Sequence, residues 1–131
     1  MCAKQKIASY LSGRPSVISL VIMGKDPFPS GATGIPFCKE DWDEQTKLTC
    51  SGRTVLDSLG IDLECAKENF NSPSLLFEAL RKEGILFLNA SYRFIGGRIR
   101  KRDPQHQSYL EEALNINIPI LSAAQNIILC H

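Results

Sequence analysis

One carboxylate and two aromatic rings stand where this sequence could do chemistry on a flat ligand. Asp26 follows an apolar, β-branched segment, residues 16–22, and lies in a turn rich in glycine and proline. Phe28 and Phe37 stand on either side of the glycines of this turn. The segment predicts a buried strand that the turn ends. Because ligand sites of open α/β sheets lie just beyond the carboxyl ends of strands, these side chains predict a site for a planar ligand such as a nucleobase. The alternative is an ordinary Asp-Pro turn flanked by core phenylalanines.

A second polar side chain follows a second apolar segment. Residues 85–88 predict another buried strand, and Asn89 comes directly after it. Its carboxamide offers one acceptor and two donors in a flat group, which suits the edge of a base. The alternative is an asparagine that only serves the turn after the strand.

These two stretches resemble the uracil-DNA glycosylases. Residues 23–37, MGKDPFPSGATGIPF, are similar to the family's first motif, Gly-Gln-Asp-Pro-Tyr-His or -Pro followed by Gly-Leu-x-Phe. The poxvirus members, with Asp-Pro-Tyr-Pro and Gly-Val-Pro-Phe, share the Pro-Phe ending. Residues 84–89, GILFLN, are similar to the family's Gly-Val-Leu-Leu-Leu-Asn, whose Asn recognises uracil. Lys25 replaces a Gln of the first motif, and Phe28 replaces a Tyr.

The resemblance implies an α/β fold, three layers of α/β/α with a central parallel sheet, in a single domain over residues 1–131. It implies a DNA-repair enzyme that hydrolyses the N-glycosidic bond of uracil in DNA after flipping the base out of the stack. Asp26 would orient the attacking water. The substrate-binding residues would be Lys25 through its backbone, Phe28 beside carbon 5 of the base, Phe37 as the stacking ring, and Asn89 at the base edge.

Two further segments suggest contacts with the DNA backbone. Residues 72–74, Ser-Pro-Ser, predict a helix start and are similar to the family's proline-serine loop. A basic cluster with two glycines follows Asn89 and could neutralise phosphates, or it could be a solubilising surface loop. The predicted DNA-binding residues are Ser72, Pro73, Ser74, Arg93, Arg98 and Arg100.

The family's last motif, His-Pro-Ser-Pro with a nearby Leu, is not found in the 131 residues. We therefore expect the fold to be incomplete at the C-terminus, lacking its last third, with the chain continuing past His131. Residues 1–131 alone are expected to be weak or inactive, because the missing His supports charge on the leaving base. The alternative is a glycosylase-fold module that binds DNA or a protein partner without releasing the base.

Composition restricts the remaining functions. A net charge of +1 does not by itself indicate nucleic-acid binding, so any affinity for DNA has to come from local clusters of basic residues. Five widely spaced cysteines without a Cys-x-x-Cys pair indicate neither a zinc site nor a disulfide framework, and no cofactor or metal is expected. No segment predicts a membrane span or signal peptide, so we expect a cytoplasmic protein, or a nuclear or viral-factory one in a eukaryotic or viral setting.

Hydrophobic periodicity predicts the elements that position these residues. In addition to the two strands, it predicts helices near residues 4–11, 55–59, 63–70, 73–82 and 109–114, an apolar link over 118–121, and a third buried strand over 126–130. The residues of the last helix that are expected to face inward are Tyr109, Leu110, Ala113 and Leu114.

Overall fold

The structure, a computed structural model, describes residues 3–25, 27–28, 31–92 and 104–130. Within these ranges the helices and strands follow one another as α1 (Ala3–Ser12), β1 (Leu20–Gly24), α2 (Trp42–Gln45), α3 (Ser51–Ser58), α4 (Leu63–Asn69), α5 (Pro73–Lys82), β2 (Ile85–Asn89), α6 (Pro104–Ala123) and β3 (Ile127–Leu129).

The three strands form one parallel sheet in the order β2-β1-β3. In this register Gly24 lies opposite Asn89, so the carboxyl ends of β1 and β2 are level. The ladder continues one step further, since the N–H of Ala90 donates to the Gly24 carbonyl (3.0 Å) and that of Ser91 donates to Lys25 (2.8 Å). A parallel sheet with helical connections confirms the α/β class.

Side-chain alternation along the strands produces an apolar cluster on each face of the sheet. On one face Val21, Leu86 and Leu88 join buried residues of α1 and α6. On the other, Ile22 and Phe87 join buried residues of α3, α4 and α5. The chain therefore leaves β1 towards one face and β2 towards the other. Ligand sites in open α/β sheets lie between strands whose connections diverge in this way.

Helix α5 begins as the sequence predicts. Ser72 occupies the N-cap with extended backbone, and Pro73 is the first helical residue, where its missing N–H has no intrahelical partner to lose. The helix ends at Lys82, and Gly84 follows with a φ of 86°. A positive φ favours glycine, so this residue permits the sharp turn into β2.

Helix α6 is much longer than predicted, and the apolar link over residues 118–121 is wrong because those residues are helical. Pro119 lies inside the helix on an exposed position, so its ring meets solvent rather than the core. Leu114 is 51% exposed, which contradicts its predicted inward position, whereas Ala113 and Ile120 are each 1% exposed. The inward stripe therefore includes Ala113, as predicted, and continues through Asn117 and Ile120, but it does not include Leu114.

The third strand exists, but its predicted burial is wrong. Ile127, Ile128 and Leu129 are 46%, 48% and 68% exposed. Within the described ranges β3 pairs only with β1, so its outer edge is uncovered there. The first strand is also displaced, to 20–24, although Ile18 still bridges Ala124. In the ranges that the structure describes, no helix is both long and apolar enough to cross a membrane.

Candidate functional site

The ring of Phe37 and the carboxamide of Asn89 meet over Gly24. A Cβ built on Gly24 would lie 2.7 Å from Cζ of Phe37 and 2.9 Å from Oδ1 of Asn89. Asn89 is on the same face of the pleated sheet as Phe87, and the rings of Phe37 and Phe87 meet edge to face with centroids 6.1 Å apart. Two of the residues that the sequence predicts for base binding are thus brought together at the divergent ends of β1 and β2.

Phe37 adopts a backbone conformation that usually belongs to glycine. Its φ is 67°, and no other non-glycine residue among those described has a positive φ. The N–H of Cys38 donates to the Ile35 carbonyl (3.2 Å) across Pro36 and Phe37. Proline second and a positive φ third are features of a type II turn, in which glycine normally takes the third place. Strained residues of this kind cluster at functional sites.

A polar network holds the backbone of Asn89, which is 4% exposed. Its N–H donates to the Tyr92 hydroxyl (3.2 Å), and its carbonyl accepts from Nδ2 of Asn117 (2.8 Å). The Tyr92 hydroxyl in turn donates to Oδ1 of Asn117 (2.7 Å). Burial raises the pKa of Tyr92, so the hydroxyl stays protonated and keeps both roles at neutral pH. These bonds fix Asn89 without using its side-chain amide.

The other predicted substrate-binding residues that the structure describes have contacts of their own. Nζ of Lys39 is 4.0 Å from the centroid of the Phe28 ring, a cation–π contact. The Lys25 side chain is exposed, and its carbonyl is bound by Ser91, as described above. Asp26 lies outside the described residues, two positions after the end of β1.

The predicted DNA-binding residues divide into two groups. Ser72, Pro73 and Ser74 start α5, and Oγ of Ser74 is 3.7 Å from Sγ of Cys38, the neighbour of Phe37. This places the helix start next to the turn that carries the ring. The remaining members, Arg93, Arg98 and Arg100, lie outside the described residues.

A cavity of about 420 Å³ opens on another side of Phe37. Its lining is mostly apolar and includes Ile22, Phe37, Val55, Leu59, Ile128 and Cys130. Near the Phe37 turn, burial raises the pKa of the Cys38 thiol to about 11, so this thiol is protonated at neutral pH. Among the described residues, no cluster of three or more acidic, cysteine or histidine side chains could hold a metal ion.

Sequence reasoning missed two buried amides that support the site, Asn117 and Gln45. A signal exists for Asn117, because it lies four residues after Ala113 and three before Ile120, on the inward stripe of α6. A polar residue on such a stripe predicts a buried hydrogen-bonding role. Gln45 offers no such signal, because its helix is a single turn.

No family model, curated protein or solved structure matches this chain.

Proposed function

We propose that this chain forms the uracil-binding part of a DNA glycosylase with a three-layer α/β/α fold, which hydrolyses the N-glycosidic bond of uracil in DNA. The observation that carries the proposal is the meeting of the Phe37 ring and the Asn89 carboxamide over Gly24. It supplies a flat surface and a flat hydrogen-bonding group at the divergent strand ends where ligands of α/β sheets bind.

Uracil matches this pair chemically. A flipped base stacks on an aromatic ring, and the Watson–Crick edge of uracil presents an N–H donor between two carbonyl acceptors. The Asn89 carboxamide can accept from that N–H and donate to one carbonyl at the same time. Cytosine presents an acceptor at N3 and an amino donor at carbon 4, so the same orientation of the amide would oppose it.

We assign the remaining steps to Asp26, to Phe28 and to the predicted DNA-binding residues. Asp26 acts on the attacking water and stabilises positive charge on the sugar as the bond breaks. Phe28 closes the pocket beside carbon 5 of the base, where the methyl group of thymine would clash. The DNA phosphates are bound by the start of α5 and by the arginines of the basic cluster, which makes binding sensitive to salt.

The test is incubation of the whole encoded protein with single-stranded DNA that carries one uracil, followed by alkaline cleavage of abasic sites. We expect Asp26→Asn to lower the rate by about a hundredfold or more, as for loss of an acid–base group. Asn89→Ala should have an effect of about the same size, as for loss of a charge-stabilising donor. The exposed Asn69, whose amide caps α4, provides the matched control Asn69→Ala.

Three outcomes are distinguished. Cleavage that is lost in both site variants and kept in Asn69→Ala supports the proposal. Tight, uracil-dependent binding without abasic sites replaces it with the module that binds without release. A wild-type protein that neither binds nor cleaves the uracil strand refutes both.

A further inference from the structure

We propose that Gln45 is a positioning residue that holds the Phe37 ring in place for base stacking, a role that rests on the proposed function. Gln45 is completely buried although its side chain is polar. Its Oε1 accepts from the N–H of Lys39 (2.6 Å), and its Nε2 donates to the carbonyl of Phe37 (3.0 Å). The single amide therefore binds the backbone on both sides of Cys38.

This clamp acts on the strained turn. A side chain at the third position of a type II turn costs free energy that glycine would not, so Phe37 keeps its positive φ only if surrounding contacts determine it. The bond from Gln45 fixes the Phe37 carbonyl, and the bond to Lys39 fixes the strand-like segment that follows. The backbone that carries the ring is thus held at two points, and the ring lies against Gly24 beside Asn89.

Helix α2 holds Gln45 rigidly. The Asp41 side chain caps this single turn by accepting from the Glu44 N–H (2.8 Å). Trp42 is buried, and its indole N–H donates to the Phe70 carbonyl (2.8 Å). The helix is thus attached to the body of the protein independently of the Phe37 turn.

Gly52 closes the clamp from the other side. A Cβ at this position would lie 1.9 Å from the Phe37 carbonyl oxygen and 2.6 Å from Nε2 of Gln45. Real Cβ atoms do not approach backbone this closely, so the first turn of α3 has to be glycine at this point for the bond between Gln45 and Phe37 to exist. Two separate substitutions can therefore break the same contact.

The experiment compares two clamp variants with two matched controls. Gln45→Met keeps the length of the side chain and removes the amide, and Gly52→Ala introduces the clashing Cβ. Gln125→Met makes the same glutamine change at an exposed position. Gly60→Ala makes the same glycine change after α3, where the φ of 79° strains an alanine but a Cβ would meet no atom within 4 Å, so it reports the effect of destabilisation without a clash at the clamp. The primary readout is the nuclear Overhauser effect between the Phe37 ring protons and the Gly24 α-protons, measured without DNA.

We expect both clamp variants to lose most of this signal and both controls to retain it. In the cleavage assay the clamp variants should raise KM about tenfold, corresponding to a lost stacking contact, with kcat little changed. A Gln45→Met protein with the wild-type signal overturns the inference. If the clamp variants do not fold, amide exchange in the wild type decides: the Lys39 N–H has to exchange as slowly as the core, and fast exchange overturns the inference.

The outcomes separate this inference from the function on which it rests. Loss of the signal in a protein that does not process uracil DNA refutes the proposed function and leaves the clamp on Phe37 established. Loss of the signal with an unchanged KM shows that Phe37 does not stack on the base, which overturns the positioning role. Loss of the signal together with a raised KM supports the positioning role.

Discussion

Strands β2 and β3 flank the same strand in the same direction, yet they are built differently. Both place a leucine beside Met23, but Leu88 is completely buried and Leu129 is 68% exposed. At the end of β2 a network of buried amides and a tyrosine hydroxyl fixes the backbone. The candidate site lies on the β2 side of β1, where the scaffold is held from both faces, which is the arrangement that precise positioning requires.

The sharpest way to test this difference is the same substitution on both strands. Leu88→Ala should lower the free energy of unfolding by about 2–5 kcal/mol, since it leaves a cavity in the core. Leu129→Ala should change it by no more than about 0.5 kcal/mol, because an exposed side chain loses little. Urea unfolding followed by circular dichroism measures both. Equal losses would show that β3 is as well covered in solution as β2.

Asn117 and Asn126 both donate to backbone carbonyls, and we expect their replacement to lower the free energy of unfolding by different amounts. Asn117→Ala removes a buried partner of Asn89 and of Tyr92, and should lower the free energy of unfolding by about 1–3 kcal/mol. Asn126 is exposed, and its amide donates to the Ser19 carbonyl at 3.2 Å. We expect Asn126→Ala to cost no more than about 0.5 kcal/mol.

The same pair of variants reports on the site. If the network positions Asn89, Asn117→Ala should also reduce uracil-dependent cleavage, while Asn126→Ala should leave it unchanged. A stable Asn117→Ala protein with full cleavage would show that Asn89 holds its place without the network.

A third expected effect is a dependence of stability on alkaline pH. Burial raises the pKa values of Tyr10, Tyr92 and Cys38, all of which lie in or beside the clusters that pack on β2. The folded protein keeps these protons where the unfolded chain, with ordinary values of 10.0 for tyrosine and 9.0 for cysteine, releases them. The free energy of unfolding should therefore be constant near neutrality and fall as the pH rises above about 9.

Urea unfolding at about pH 7.5 and about pH 10.5 measures this fall. Tyr10→Phe provides the comparison, because it removes one of the three groups and should make the fall shallower. A free energy of unfolding that stays flat up to the higher pH would mean that these groups titrate alike in both states.

The parts of the fold that sequence could predict are those in which local pattern and burial agree. The apolar runs before Asp26 and Asn89 gave two strands close to their observed positions, and the Ser-Pro pair gave the start of α5. Pro119 misled, because proline interrupts a helix only where its missing N–H and its ring cannot be accommodated, and an exposed position accommodates the ring. The exposure of β3 could not be predicted, because an apolar run does not indicate how many neighbouring elements pack against it.

The candidate site divides in the same way. The proximity of Phe37 and Asn89 follows from the rule that parallel strands end at one edge, so it was predictable. The positive φ of Phe37 was not predictable, because a type II turn is normally recognised in a sequence by glycine at its third position. The role of Gln45 depends on tertiary contacts across a loop, and no periodicity in the sequence encodes it.

Gly24 determines how closely Phe37 and Asn89 approach the sheet. Because the side chain of Gly24 is only a hydrogen, the edge of the Phe37 ring and Oδ1 of Asn89 lie closer to the sheet than a Cβ at this position would allow. In the proposed function, this hydrogen would set how closely a base approaches the sheet. Gly24→Ala would displace the Phe37 ring and the Asn89 amide, and under the proposed function it would change which ligands are bound without altering any side chain that contacts them.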